Sequence, residues 1–171
     1  MASIERELNL GVNDVDGPGG DPKDFTILKA LIKLNFSKPK SDMLVLSGTV
    51  PIPQGFTPKG KPVTIAIGDY ESAFTLDAKG KAVSGTDSLK LSGKLKKGVY
   101  ISSPLKFIYT VKKQNLFDKL DDYGFVNADV AKPGDQIDLP VLITVDGDSY
   151  LNTLIVTYTA KKDKNGVAKI R

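Results

Sequence analysis

Between Gln136 and Ala160 the chain repeats one arrangement on both sides of Asp146-Gly147-Asp148. Leu139, Val141, Ile143 and Val145 occupy alternate positions before the turn, and Tyr150, Leu154, Val156 and Tyr158 follow it, mostly two apart. A period of two is the signature of a strand with one buried face. The Asp-Gly pair supplies the positive φ angles that a tight hairpin needs, so two long antiparallel strands are predicted here. A shorter hairpin of the same design is expected upstream, with Val63 to Ile67, a turn at Gly68-Asp69, and Ala73 to Leu76.

The remaining segments are read against this hairpin. Leu28, Ala30, Ile32, Leu34 and Phe36 alternate with polar residues and predict a strand over 26–36, and Leu44, Leu46, Gly48 and Val50 place a second over 43–50. Pro51, Pro53, Pro58 and Pro62 remove ladder donors, which makes 51–62 a rigid crossing between sheets. Residues 77–87 read as a loop. Leu89, Leu91 and Leu95 predict a fifth strand, and Val99 to Ile101 with Leu105 to Val111 continue in extended form as the sixth. One short helix is expected near 115–123, capped by Asn115, with Leu116, Phe117 and Leu120 as its apolar stripe. Residues 125–135 read as a loop, and 161–171 as a charged, frayed end where Val167 and Ile170 pair at most at an edge.

The two hairpins also align their surroundings. Gly55-Phe56 falls on Gly124-Phe125, Lys59-Gly60 on Pro133-Gly134, and the Ala78 to Ala82 stretch on Ala160 to Ala168. The 26–36 strand then matches Leu89 to Leu95, and Met43 to Val50 matches Leu105 to Val111. The chain thus reads as two four-stranded repeats, 26–88 and 89–171, joined in one sandwich of about eight strands, because a lone four-stranded sheet must bury its apolar face against something.

Composition removes whole classes of chemistry. Cysteine and histidine are absent from all 171 residues, so Ser-His-Asp and Cys-His catalysis, disulfides and imidazole or thiolate metal sites cannot be built from this chain. Asp121-Asp122 and the Asp146/Asp148 pair are the remaining material for acid-base hydrolysis, but adjacent aspartates at a helix end and on two sides of a turn do not face each other across a cleft. The formal charge is +4. The lysine groups at 94–97, 112–113 and 161–164 lack interleaved aromatics, so a solvated surface is expected in place of nucleic-acid binding. No window reaches the ~20 apolar residues of a membrane-spanning helix, and the polar start Met1 to Glu7 does not read as a signal peptide.

The wording Thr49-Val50-Pro51-Ile52-Pro53-Gln54-Gly55-Phe56 and Leu76-Asp77-Ala78-Lys79-Gly80-Lys81, in its order between strands and a short helix, resembles uncharacterised immunoglobulin-like domains of exported bacterial proteins. The resemblance implies an all-β, immunoglobulin-like β-sandwich outside the cell or at its surface, and no activity; the antibody-type cysteine and tryptophan core is missing. Residues 1–25 read as a flexible arm ahead of a 26–171 sandwich. Within that arm Asp14-Val15-Asp16-Gly17, followed by Asp21 and Asp24, is similar to the calcium loops of dockerin and thrombospondin type 3 repeats. Calcium held by Asp14, Asp16, Asp21 and Asp24 is one reading. The stiffening Pro18 and Pro22 and the missing closing glutamate leave an acidic linker as the other. The expected role is a non-enzymatic structural or adhesive module whose partners are other protein domains or copies of itself, without nucleic acid or membrane insertion. A carbohydrate- or protein-ligand-binding module is the alternative, with an intramolecular Lys-Asn isopeptide bond left open.

Overall fold

The computed structural model describes residues 21–170. Thirteen strands and a single helical segment run along them. They are β1 (Lys23–Asp24), β2 (Thr26–Asn35), β3 (Asp42–Val50), β4 (Pro62–Ile67), β5 (Tyr70–Thr75), β6 (Lys81–Ser84), β7 (Asp87–Ser92), β8 (Leu95–Lys96), β9 (Val99–Tyr100), β10 (Leu105–Gln114), β11 (Val130–Val145), β12 (Asp148–Lys161) and β13 (Asn165–Lys169). The helix α1 (Phe117–Leu120) continues as a 3-10 turn over Asp121–Tyr123. The protein is therefore all-β with one short helix where it was expected.

The long hairpin is the spine of the fold. β11 and β12 pair from Val145↔Asp148 outward to Val130↔Ala160, and the turn is closed by Asp146 at φ 49° and Gly147 at φ 91°. The main path of hydrogen-bonded strands runs β5-β4-β11-β12-β13-β2-β3-β10-β7-β6, while β8 and β9 form a separate ribbon. Every pairing on that path is antiparallel; β1 alone adds in parallel, beside Tyr150 and Leu151 of β12. The path curls until its two ends, β5 and β6, lie against each other.

The curled path encloses a continuous apolar core; along it lie the run β5-β4-β11-β12 and the run β13-β2-β3-β10-β7-β6. Alternation does the sorting: β3 runs buried, half-buried, buried from Asp42 to Val50, and Val141, Ile143 and Val145 point inward from β11. Rings interlock across the core. Phe74 of β5 meets Tyr109 of β10 edge-on at 6.0 Å, and Phe25 meets Phe107 at 5.9 Å. Edge-to-face pairs of this kind add about 1 kcal/mol to the area they bury.

The strand count exceeds the expected eight for local reasons. The 77–87 segment is not a loop throughout. Asp77 accepts the backbone N–H groups of Lys79 and Lys81 at 2.8 and 2.9 Å, and this tight turn launches β6. Those two bonds hold the Asp77 carboxyl below the usual range. Residues 130–135, expected as loop, belong to β11 across a register shift opposite Tyr158–Ala160. The 161–171 segment departs furthest from expectation, because β13 lies between β12 and β2 in the body of the sheet. Gly166 makes this possible: a Cβ there would stand 2.4 Å from the Tyr158 hydroxyl. The predicted fifth strand is likewise divided, at Gly93, into β7 and β8.

Candidate functional site

Among the described residues two aspartates are buried, Asp42 and Asp87, and each is engaged in holding the structure together. Asp42 opens β3 in phase with the inward Leu44 and Leu46. One carboxylate oxygen accepts the Asn35 N–H at 2.7 Å, and the other accepts those of Leu116 and Phe117 at 2.8 and 3.2 Å. Asp42 thus serves α1 as a cap supplied from another element, satisfying donors that a helix start leaves open. The expected cap, Asn115, instead accepts the Lys40 N–H at 2.6 Å, because α1 begins two residues later with Leu116 at the cap position.

Asp87 opens β7 in the same way. Its Oδ2 accepts from the hydroxyls of Tyr70 at 2.6 Å and Ser72 at 2.7 Å, and Ser72, its own proton committed to Asp87, accepts from the Tyr109 hydroxyl at 2.5 Å. Oδ1 is buried without a hydrogen-bond partner. Burial, with the bond and charge of Asp87 adding to it, holds the Tyr70 phenol far above its ordinary pKa. Burial does the same to Tyr109. Such a cluster keeps its hydroxyls neutral and fixes them; it presents no group to a substrate.

These two residues were missed in the sequence, although a signal was present. Ser41-Asp42-Met43-Leu44-Val45-Leu46-Ser47-Gly48 and Thr86-Asp87-Ser88-Leu89-Lys90-Leu91-Ser92-Gly93 share the pattern Asp-x-Leu-x-Leu-Ser-Gly. An aspartate in period-two phase with inward leucines marks a buried, partnered carboxylate.

Among the described residues the carboxylates considered for metal or acid-base work are not gathered at one point. Asp21 and Asp24 are exposed, Asp24 on β1, while Asp14 and Asp16 lie outside the described residues. Among the described residues no group of three or more acidic side chains is placed to hold a metal ion. Asp121 and Asp122 are exposed on the 3-10 turn, and Asp146 pairs with Lys61 at 3.0 Å. Four of the tyrosines, Tyr100, Tyr109, Tyr150 and Tyr158, are among the largest fully buried side chains. They are core residues and offer no platform to a sugar ring.

The outward-facing sides of the sheet differ in chemistry. On the β4-β11-β12 side, Leu142 and Leu151 stand directly opposite each other and are 36% and 38% exposed, with Ile155 at 52% further along β12. Pro140 and Thr153 form the next exposed pair. The other face, across β2-β3-β10-β7-β6, carries lysines among small hydroxyl residues and exposed aliphatic ones, Ile108 and Val83 among them. No protein-family model, curated protein or solved structure matches this chain.

Proposed function

We propose that the chain is a non-enzymatic structural or adhesive module of an exported or cell-surface assembly, and that the Leu142/Leu151/Ile155 face docks against a neighbouring domain or a second copy of the chain. The observation that carries this reading is the exposed Leu142–Leu151 pair, aliphatic side chains held side by side on neighbouring strands. Clustered apolar groups on an otherwise polar exterior mark contact surfaces. The buried carboxylates support it too, since Asp42 and Asp87 are engaged in holding backbone N–H and hydroxyl groups.

Of the finer architecture, we infer two repeats related by an approximate two-fold axis. Exchanging β2 with β7, β3 with β10, β4 with β11, β5 with β12 and β6 with β13 leaves the order around the curled sheet unchanged once β5 and β6 are joined. Counterparts pair with each other where an axis would pass: Ile65 lies opposite Ile143, and Val63 opposite Val145. The aligned Gly55 and Gly124, and Gly60 and Gly134, all have positive φ. The shared Asp-x-Leu-x-Leu-Ser-Gly wording aligns β3 with β7 instead; that match does not reproduce the strand order, so the order carries the inference. The immunoglobulin-like description enters only as an antiparallel two-layer build, since the hydrogen-bonded path here runs through both layers.

Analytical ultracentrifugation of the full chain tests the docking face. Self-association that is lost in Leu142→Glu and Leu151→Glu supports it. A wild-type chain that stays monomeric and captures no neighbouring domain, but shows saturable tyrosine quenching with a neutral glycan, would favour the carbohydrate-binding alternative.

A further inference from the structure

We propose that the outer face of the β13-β2-β3-β10-β7-β6 run binds a linear polysaccharide bearing uronate carboxylates, an inference that goes beyond the adhesive reading and uses the opposite side of the molecule.

The register builds this face in rows. Lys29, Ser47, Ile108, Lys90 and Lys81 lie in one row across five strands. Lys33, Met43 and Lys112 lie in another, and Leu31, Val45, Thr110, Ser88 and Val83 fill the row between, with Lys169 beside Leu31. Lys106 stands between Thr49 and Ser92 one row further out. All of these lysines are exposed. With strands about 4.8 Å apart, the first row places ammonium groups over roughly 19 Å.

No outward position of this run holds a carboxylate. Asp42 and Asp87, its two acidic residues, point into the core. Among the described residues the ion pair between Lys61 and Asp146 lies elsewhere, and Asp77, in the turn leading to Lys81, is engaged by backbone N–H groups. Lys81 directly faces Lys90. Like charges opposed across a ladder are destabilising, so the fold tolerates a cost that a bound anion would reverse.

The chemistry between the lysines narrows the ligand. Ser47, Thr49, Ser88, Ser92 and Thr110 are half-buried hydroxyls standing among the lysines, with the aliphatic Ile108, Val45 and Val83 between them. Lysine is a compact point charge, suited to one carboxylate at a time. A chain carrying one carboxylate per sugar, with hydroxyls between, presents the complementary pattern. No aromatic ring stands at the outward positions of these rows to stack a base, which disfavours single-stranded nucleic acid.

The test is calorimetric titration of the full chain with polygalacturonate, alongside dextran, heparin, a DNA duplex and vesicles containing phosphatidylserine. Polygalacturonate is expected to bind, more weakly as salt rises, and dextran not at all. The triple variant Lys29→Gln/Lys81→Gln/Lys90→Gln should weaken binding about tenfold, or ~1.4 kcal/mol. It should melt no lower than the parent, since it relieves the Lys81–Lys90 repulsion. The triple variant Lys96→Gln/Lys97→Gln/Lys162→Gln, with the same change in charge, should weaken it less than about twofold. Equal weakening by both triples, absence of uronate binding, or tighter binding of heparin, duplex or vesicles than of polygalacturonate would overturn the proposal.

Discussion

The Ser72 hydroxyl on β5 stands 2.7 Å from the carboxylate of Asp87 on β7, so side chains tie one end of the hydrogen-bonded path to a strand next to its other end. The closure of the curled path at this seam rests on that contact, on the parallel one from Tyr70, and on the Phe74–Tyr109 ring pair.

Asp87→Ala should therefore cost about 3 kcal/mol in urea unfolding, because it strands two buried or half-buried hydroxyls. Asp87→Asn should cost less, roughly 1–2 kcal/mol: the amide oxygen keeps both bonds, while the amide nitrogen brings N–H donors to the place where Oδ1 has no partner. Equal losses in the two variants would mean that charge, and not hydrogen bonding, holds the seam.

At the other buried aspartate, Asp42→Ala should cost about 2–3 kcal/mol and should unprotect the Leu116 and Phe117 amides in hydrogen exchange. Asn115→Ala, which removes one exposed bond to Lys40, should cost under about 1 kcal/mol and leave those amides protected. The reverse ranking would restore Asn115 as the cap.

Gly48 has a different kind of constraint. A Cβ there would lie 1.9 Å from the Thr26 carbonyl oxygen, on backbone beside the β2 bulge between Ile27 and Lys29. Gly48→Ala should destabilise by about 1–3 kcal/mol, the range of overpacking, and a neutral melting curve would show that the bulge yields freely.

Stability should fall at high pH. Burial raises the phenol pKa of Tyr70, Tyr100, Tyr109, Tyr150 and Tyr158, the last to about 12. A group whose pKa is higher folded than unfolded stabilises fully below its unfolded value, about 10 for tyrosine, and loses that contribution as pH climbs toward the folded value. Urea midpoints should thus be flat up to about pH 10 and decline above it, with the tyrosinate absorbance of these residues appearing as the chain unfolds. Their titration near pH 10 in the folded chain would contradict the burial described here.

Much of this fold was legible because period two is a strong signal. β2, β3, β4 and the β11-β12 hairpin stand within about two residues of their expected places, apart from the 130–135 extension of β11, while β5 begins at Tyr70, ahead of the expected Ala73. β6 and β13 were hidden because strands of four and five residues, with only Ala82 and Val83 or Val167 and Ala168 as apolar side chains, are too short to show a period. Each is recruited by a neighbouring ladder after a turn set by Asp77 or by Lys161–Lys164. The outer faces were illegible for another reason: lysines scattered along the sequence fall into rows only when the register is known, as Lys29, Lys81 and Lys90 do.

The two halves of the chain interlock, since β3-β10, β4-β11, β6-β7 and β13-β2 each join a strand of one half to a strand of the other. Denaturant unfolding of the full chain, followed together by tyrosine fluorescence and far-UV circular dichroism, tests it most directly. The account predicts one transition with coincident midpoints for the two probes. Two separated transitions, with one half keeping its strands after the other has melted, would contradict it.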